Sequence, residues 1–345
     1  MSTIIKKKVQ EIKEAIESPV DNDLSFITRK IEVDSVLSTG STLLDLNISG
    51  KRRRGGGIPG GIVVEMYGPS SSGKTALLAE ICASAQALGG QSKIQDPEAR
   101  LDKEYARIYD LKLEPEDYSR PDTVEEVFNA VQIWKPRDPD KINVLGTDSL
   151  AALSTELEMS PKGDKMGMKR AKEFSTGFRK TARLIAQNNW LMLCTNQIRQ
   201  GDYGETTPGG MAIAFYASLR IRVKQEDLVY KEISLDGGKK VKKAVGIEST
   251  CFIKKSSIDD PFRECSIFIM FGYGIDDIRG NLQYIKDMTN DAKYQCPDGN
   301  SYGPMSLAIQ HIEKDNLEKV LKERTIDLWE EIESRFESKR NPKVR

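Results

Sequence analysis

Histidine is nearly absent from this 345-residue chain, with His311 standing alone, and the five cysteines are scattered. Cys82, Cys194, Cys251, Cys265 and Cys296 form no C-x-x-C pair, which points to a reducing compartment and to no structural zinc. Long apolar runs are missing too. No stretch approaches the roughly 18 apolar residues of a membrane span, and the opening Met-Ser-Thr-Ile-Ile-Lys-Lys-Lys lacks the apolar segment of a signal peptide. The expectation is a soluble, cytoplasmic protein with no membrane partner. Net charge is also absent, because 52 basic side chains balance 52 acidic ones. Any site for a polyanion must therefore come from local clustering. Internal repeats and low-complexity tracts do not occur. The length suits about two domains, or one core with terminal additions.

What the chain does have is Gly68-Pro-Ser-Ser-Ser-Gly-Lys-Thr75, a match to G-x-x-x-x-G-K-[ST] at every fixed position. In such a loop the stretch Gly68, Pro69, Ser70, Ser71, Ser72 and Gly73 wraps a phosphate with its N–H groups pointing inward. Lys74 supplies the charge and Thr75 a magnesium ligand. The context agrees. Ile62 to Tyr67 reads as a buried strand before the loop and Ala76 to Leu88 as a helix after it, so a helix N-terminus faces the phosphates.

Three further strands follow in an alternating β/α pattern, which places the chain in the α/β class. Ser92 to Glu98 delivers Asp96 and Glu98 at a strand's carboxyl end, where ligands of open α/β sheets bind. Glu98 is the better candidate to polarise an attacking water. Asp122-Thr-Val-Glu125 has the form of a capping box and opens a helix to about Trp134. Ile142 to Asp148 is an apolar strand ending in an acid, with Asp148 placed to hold magnesium through water. Trp190 to Gln197 is another buried strand. It ends in amides, and a Gln197 that bonds a γ-phosphate and loses that bond on hydrolysis would act as a switch.

Two loops have the composition that single-stranded nucleic acid uses. Residues 161–172 mix Met166 and Met168 with Lys169, Arg170 and Lys172 before a helix running to about Gln187, and residues 198–210 carry Ile198, Arg199, Tyr203, Gly209 and Gly210 in a glycine-rich loop. A third basic segment, Lys51 to Arg54 on glycines, reads either as a phosphate-backbone contact or as a solvated loop. Ile5, Val9, Ile12 and Ile16 fall on one face of a short N-terminal helix. Periodicity leaves open whether that face covers its own domain or a neighbouring subunit. From Leu219 the pattern changes to hairpins, at 219–224, 245–255 and 265–271, with a turn at Asp236-Gly-Gly. After Gly274 come short helices and a charged helix at about 315–337, with Leu317, Val320, Leu321, Leu328, Ile332 and Phe336 on one broad face.

In order, the phosphate loop, the strand leading to Glu98, the strand ending at Asp148, Thr-Asn-Gln-Ile-Arg199 and Thr-Thr-Pro-Gly-Gly-Met-Ala-Ile-Ala-Phe-Tyr-Ala-Ser218 closely resemble the bacterial RecA recombinases and their bacteriophage relatives. The resemblance covers roughly residues 30–275. It implies a RecA-type P-loop ATPase core with a twisted, mostly parallel sheet, an N-terminal helix extension and a small C-terminal α/β domain. The implied divisions are 1–30, 31–273 and 274–345.

By function, the resemblance implies a DNA-dependent ATPase that forms filaments on single-stranded DNA and exchanges strands with a homologous duplex, using ATP and Mg2+. Residue by residue, Lys74 and Thr75 match the phosphate and magnesium groups, Glu98 the base and Asp148 the acid. Gln197 matches the switch, and Asp102 and Tyr105 resemble an adenine-contacting pair. The loops near Met166 and from Ile198 to Gly210 match the two DNA loops. Phe215 matches a subunit-interface aromatic, and the N-terminal helix would dock on a neighbour.

The chain departs from the family pattern in several places. Lys255 matches the first of two lysines that reach ATP across the interface, whereas Ser257 stands at the second, with Lys254 nearby. The second DNA loop looks about five residues shorter than in bacterial enzymes, the Lys51 to Arg54 insertion is extra, and the tail is basic rather than acidic. These traits suit a bacteriophage version. The rival readings are a ring-shaped helicase motor, a regulatory RecA-like module that binds ATP without DNA, and a small-molecule kinase. A motor would bring an accessory domain larger than the N-terminal helix, the basic loops oppose the regulatory module, and no acceptor pocket or lid supports the kinase.

Overall fold

The computed structural model describes residues 33–155, 167–201, 204–236, 238–338 and 340. Chain order begins with β1 (Val36–Leu37), α1 (Thr42–Ser49), β2 (Ile58–Pro59), β3 (Ile62–Gly68), α2 (Lys74–Ala87), β4 (Ser92–Gln95), α3 (Lys103–Arg107) and β5 (Tyr118–Ser119). Next are α4 (Val124–Ile133), β6 (Val144–Thr147), α5 (Gly167–Gln187), β7 (Leu191–Gln197), β8 (Arg199–Gly201), β9 (Gly204–Thr206) and α6 (Met211–Tyr216). The chain continues through β10 (Leu219–Ser234), β11 (Lys240–Ser256), β12 (Glu264–Met270), β13 (Gly274–Ile275), α7 (Asp277–Thr289), β14 (Tyr294–Gln295), β15 (Ser301–Tyr302), α8 (Met305–Lys314) and α9 (Glu318–Arg335).

Nine strands form one sheet in the order β13-β12-β11-β10-β3-β7-β6-β4-β5. From β10 to β5 every pairing is parallel, while β10 to β13 pair antiparallel. The mostly parallel α/β sheet expected from the sequence is therefore present. Its central strands are buried on both faces, which is why they read as continuous apolar runs. Alternation assigns the faces. Leu145 joins a core with Phe128, Phe174, Phe178 and Met192, whereas the next residue, Gly146, faces Leu78 and Cys82 of α2. A Cβ at Gly177 would lie 2.1 Å from the Phe128 ring, so only glycine lets α5 approach α4 this closely.

Several boundaries differ from the sequence expectation. The cap of α4 is Thr123, whose hydroxyl accepts from the Glu126 N–H, one residue later than the box read at Asp122 to Glu125. The Glu126 carboxylate in turn accepts from the Asp122 N–H. β10 and β11 extend well past the third strand, because main-chain pairing continues from Leu219↔Ser256 to Ser234↔Lys240 without needing an apolar face. In α9 the buried positions are Leu321, Thr325, Ile326 and Trp329, while Val320 and Phe336 are exposed. The anchor is Trp329, packed with Ile326 against Leu46 of α1 and donating to Asn47 Oδ1 at 3.4 Å, and it sets the rotation of the helix. The terminal elements α7, α8 and α9 share a small core of their own around Leu282, Ile285, Ile312 and Leu321.

The basic segment is not a free phosphate-binding loop. Arg54 pairs with Glu323, Asp327 and Glu330, one stripe along α9, and Lys51 pairs with Asp260 and Glu333. Arg52 donates to the Ile258 carbonyl, and Arg53 to those of Val33 and Asp34. All four cations are taken up by protein partners, and two of them, Lys51 and Arg54, fasten α9 to the core. The N-terminal helix carrying Ile5, Val9 and Ile12 lies outside the described residues, as do Met166 and Tyr203.

Candidate active site

A cavity of about 540 Å3 lies at the carboxyl ends of β3 and β7, with the phosphate-binding loop as its floor. The loop owes its shape to both glycines. A Cβ on Gly68 would sit 1.9 Å from the Val223 carbonyl, and Gly73 combines φ +92 with a Cβ position 2.2 Å from Ile269 Cδ1. The Ser72 hydroxyl donates to the Pro69 carbonyl at 2.9 Å, closing the turn from within. Lys74 opens α2, and its ammonium donates to the carbonyls of Gly68 at 3.1 Å and Pro69 at 2.6 Å. Burial lowers its pKa, which the charges of Asp148 and Glu98 partly offset.

Beside it, the Thr75 hydroxyl donates to Asp148 Oδ2 at 2.6 Å, and Thr195 holds the other Asp148 oxygen. Burial pushes Asp148 above the usual carboxylate range, against the pull of these two hydroxyls. A hydroxyl next to a buried carboxylate is an oxygen pair suited to Mg2+. Glu98 completes the polar wall. Its Oε1 accepts from the Ser149 hydroxyl at 2.6 Å and from the Gln197 amide at 3.1 Å, while Arg100 pairs with Oε2 at 2.9 Å. Asp96, read beside Glu98 as a second acid for this site, is instead buried and accepts from Arg100 N, Leu101 N and the Tyr118 hydroxyl. It shapes the turn that aims Glu98.

The far wall is apolar and aromatic. Tyr105 and Tyr109 have ring centroids 5.3 Å apart and share a hydroxyl–hydroxyl bond, with Ile108, Leu228, Ile247 and Phe271 around them. Burial raises both phenols. Such a slot suits a flat base at one end with phosphates at the other. Asp102 is not among the residues lining it. Its carboxylate caps α3, accepting from the Tyr105 N–H at 2.7 Å, and so orients Tyr105 from behind.

Behind Gln197 the same strand end is tied to the following segment. The Asn196 amide donates to Glu65 Oε1 and to the Pro208 carbonyl, each at 3.0 Å, and its oxygen accepts from the Gln197 N–H. Glu65 is fully buried and paired with Arg220 at 2.6 Å. Within the glycine-rich loop, β8 pairs antiparallel with β9 from Arg199↔Thr206 to Gly201↔Gly204, and Arg222 holds Glu205 with two bonds.

A family model for the RecA N-terminal domain matches residues 8–276. Proteins named Protein RecA from Thermus thermophilus and Thermus aquaticus are 36% and 34% identical over 255 residues, covering 72% of this chain and 70% of theirs. That of Ruminococcus albus is 32% identical over 266 residues, covering 75% of this chain and 63% of its own.

The chain belongs to the RecA family. The resemblance read from its motifs is thus shown, and the protein is a RecA-type recombination protein.

In this RecA-family chain the DNA and interface candidates divide into two groups. Lys172, Arg199 and Gly210 are exposed, and Ile198 is half-buried. Lys169 lies in the first turn of α5. Arg170 turns inward, donating to the carbonyls of Leu150 and Ala151 at 3.0 and 2.8 Å. Gly209 is also buried, because a Cβ there would meet Ile213 and Phe174 within 3 Å. Both positions make contacts within the protein that hold the loops in place. Phe215 is 76% exposed on α6 beside the 88% exposed Met211. Lys255 does not line the cavity. It caps α6 through the carbonyls of Ala214 and Phe215, at 2.9 and 3.0 Å.

Sequence reading missed Arg100, Tyr109, Ser149, Thr195 and the wall from β10 to β12. Only Tyr109 had a local signal, since it lies one helical turn beyond Tyr105.

Proposed function

We propose that this chain is a DNA-dependent ATPase that hydrolyses ATP to ADP and phosphate, assembles as a filament on single-stranded DNA, and pairs that strand with a homologous duplex for exchange. One observation carries the reading. The Gln197 amide is bonded to Glu98 inside the cavity, while the adjacent Asn196 holds Pro208 of the segment behind it. A change at the phosphates that moves Gln197 therefore reaches that segment within one residue.

In this mechanism the loop N–H groups from Ser70 to Thr75 and the Lys74 ammonium receive the phosphate oxygens at the head of α2. Thr75 would hold Mg2+ directly and Asp148 through water, and the ion would neutralise charge on the β- and γ-phosphate oxygens. Glu98 orients the attacking water, with the Ser149 hydroxyl fixing one of its oxygens and Arg100 the other. Tyr105 and Tyr109 take the base, with Asp102 orienting Tyr105. Gln197 exchanges its bond to Glu98 for one to the γ-phosphate, and returns when that phosphate leaves.

Assembly would use Phe215 together with Ile5, Val9 and Ile12, and Lys255 would swing from its α6 carbonyls toward a neighbour's nucleotide. Met166, Lys169, Lys172, Ile198, Arg199 and Tyr203 would meet the DNA, with the divisions at 30/31 and 273/274 as domain limits.

The test is ATP hydrolysis and electron microscopy with and without single-stranded DNA, beside Lys74→Ala. Wild type is expected to form filaments and to hydrolyse ATP faster with DNA, and the variant to lose turnover. Closed rings, or equal activity without DNA, would contradict the proposal.

A further inference from the structure

The small C-terminal core holds a cluster that the nucleotide site does not use. Cys296, Asp298 and His311 bring a thiol, a carboxylate and an imidazole nitrogen within 4.8 Å of one another. We propose that this cluster is a mononuclear site for a borderline divalent cation of the Zn2+ type, bound by Cys296 Sγ, Asp298 Oδ2 and His311 Nε2.

The fold brings the groups together from separate elements. Between β14 and β15 the chain reverses through Cys296 to Asn300, with the Cys296 N–H donating to the Asn300 carbonyl at 2.8 Å and Gly299 at φ +90. That turn sets Cys296 and Asp298 on the same side as α8. His311 comes from α8 and lies against the Tyr302 ring, 5.3 Å between centroids.

Both imidazole nitrogens face carboxylates. Nε2 is 2.8 Å from Asp298 Oδ2, and Nδ1 is 3.2 Å from Asp315 Oδ2. A carboxylate behind the outer nitrogen is what orients a metal-bound histidine and raises its basicity. The donor set decides the metal class. Sulfur, nitrogen and oxygen together suit Zn2+, whereas Mg2+ and Ca2+ take oxygen alone. Zn2+ ligands at about 2.0 to 2.3 Å in a tetrahedron stand a little over 3 Å apart, so the Asp298–His311 pair must open slightly. Asp298, Gly299 and Asn300 are exposed and have room to do so, and the open fourth position suits a water.

This revises the expectation of no structural zinc. Sequence spacing shows no zinc pattern because one ligand pair comes from a turn and the third from a helix. The cation would fasten the hairpin to α8, next to Ile312 and Leu321. None of its ligands lines the nucleotide cavity.

The competing account is a hydrogen-bonded Asp298–His311 pair with Cys296 as a bystander in the core. Cobalt distinguishes the two. Full-length protein, stripped by chelation and free of Mg2+ and nucleotide, is titrated with Co2+ and followed by absorption. The site predicts one equivalent bound, tetrahedral d–d bands with a thiolate-to-cobalt charge-transfer band, and displacement by Zn2+. Cys296→Ser should lose the charge-transfer band, and Cys265→Ser should keep it. Because Cys296 is buried and its replacement carries a folding risk, His311→Gln is the second variant. It should bind Co2+ at least about tenfold more weakly with its circular dichroism unchanged. Asp315→Asn, which removes only the group behind the imidazole, should weaken binding by about 10- to 100-fold. No charge-transfer band in wild type, or an unchanged band in a folded Cys296→Ser or His311→Gln protein, overturns the proposal.

Discussion

The phosphate loop follows β3 and the segment 198–210 follows β7, and the two strands pair with Gly68 beside Gln197. From that shared start the two are held in opposite ways. The first is wedged at its two ends, with the Val223 carbonyl and Ile269 leaving no room for a Cβ at either glycine, while Ser70 and Ser71 between them stay open to the cavity. The second runs out to exposed residues and is tied down by side chains, Asn196 to Pro208 and Arg222 to Glu205. Gripping a triphosphate calls for a backbone fixed beforehand, since donors that must reorganise stabilise less. Reporting on it calls for a segment with few ties, so that one lost bond changes its position.

Four substitutions break or sharpen that contrast, in falling order of effect. Gly68→Ala should abolish nucleotide binding and cost about 3 kcal/mol or more, because the added methyl meets main chain that cannot move aside. Nucleotide titration with a denaturant melt checks it, and near-normal binding would show the loop is less rigid than its packing implies. Gln197→Ala should keep nucleotide binding while DNA stops accelerating hydrolysis. Unchanged stimulation would remove Gln197 from the switch. Asn196→Ala leaves the buried Pro208 carbonyl and one Glu65 oxygen without their donor, a cost of about 1 to 3 kcal/mol in a urea melt. Arg222→Ala should cost less than about 1 kcal/mol, since its pair with Glu205 is partly exposed. Its signature is faster proteolysis within 198–210, and a cleavage rate equal to wild type would mean that Asn196 alone holds the segment.

The rigid side of this comparison was largely legible in the sequence. Gly68 to Thr75, Asp148 and the strand to Gln197 are local patterns, with residue types dictated by phosphate, metal and burial. Thr195 and Ser149 were not legible, because a hydroxyl beside a carboxylate has no spacing rule. The same is true of the cavity wall from Gln225 to Phe271, which enters only through strand order. The basic segment at Lys51 to Arg54 misled for a related reason, since its partners on α9 lie far along the chain and charge alone does not distinguish a protein acid from a phosphate. Face assignment in α9 was right for Leu321, with Leu317 and Leu328 packed beside it, and missed at Val320 and Phe336, because Trp329, a single large side chain left out of the pattern, draws Ile326 to the core instead. The inward bonds of Arg170 to the Leu150 and Ala151 carbonyls and the tight seat of Gly209 against Ile213 and Phe174 were likewise not legible, since neither contact follows from loop composition.

The claim that the two loops are one switch is tested most directly by hydrogen–deuterium exchange across residues 198–210. It would be followed with and without Mg2+ and a non-hydrolysable ATP analogue, in wild type and in Gln197→Ala. The account predicts that nucleotide changes the protection of this segment in wild type, and that the variant binds the analogue equally well while the segment stays as it was. An identical change in both proteins, or none in wild type, would contradict it.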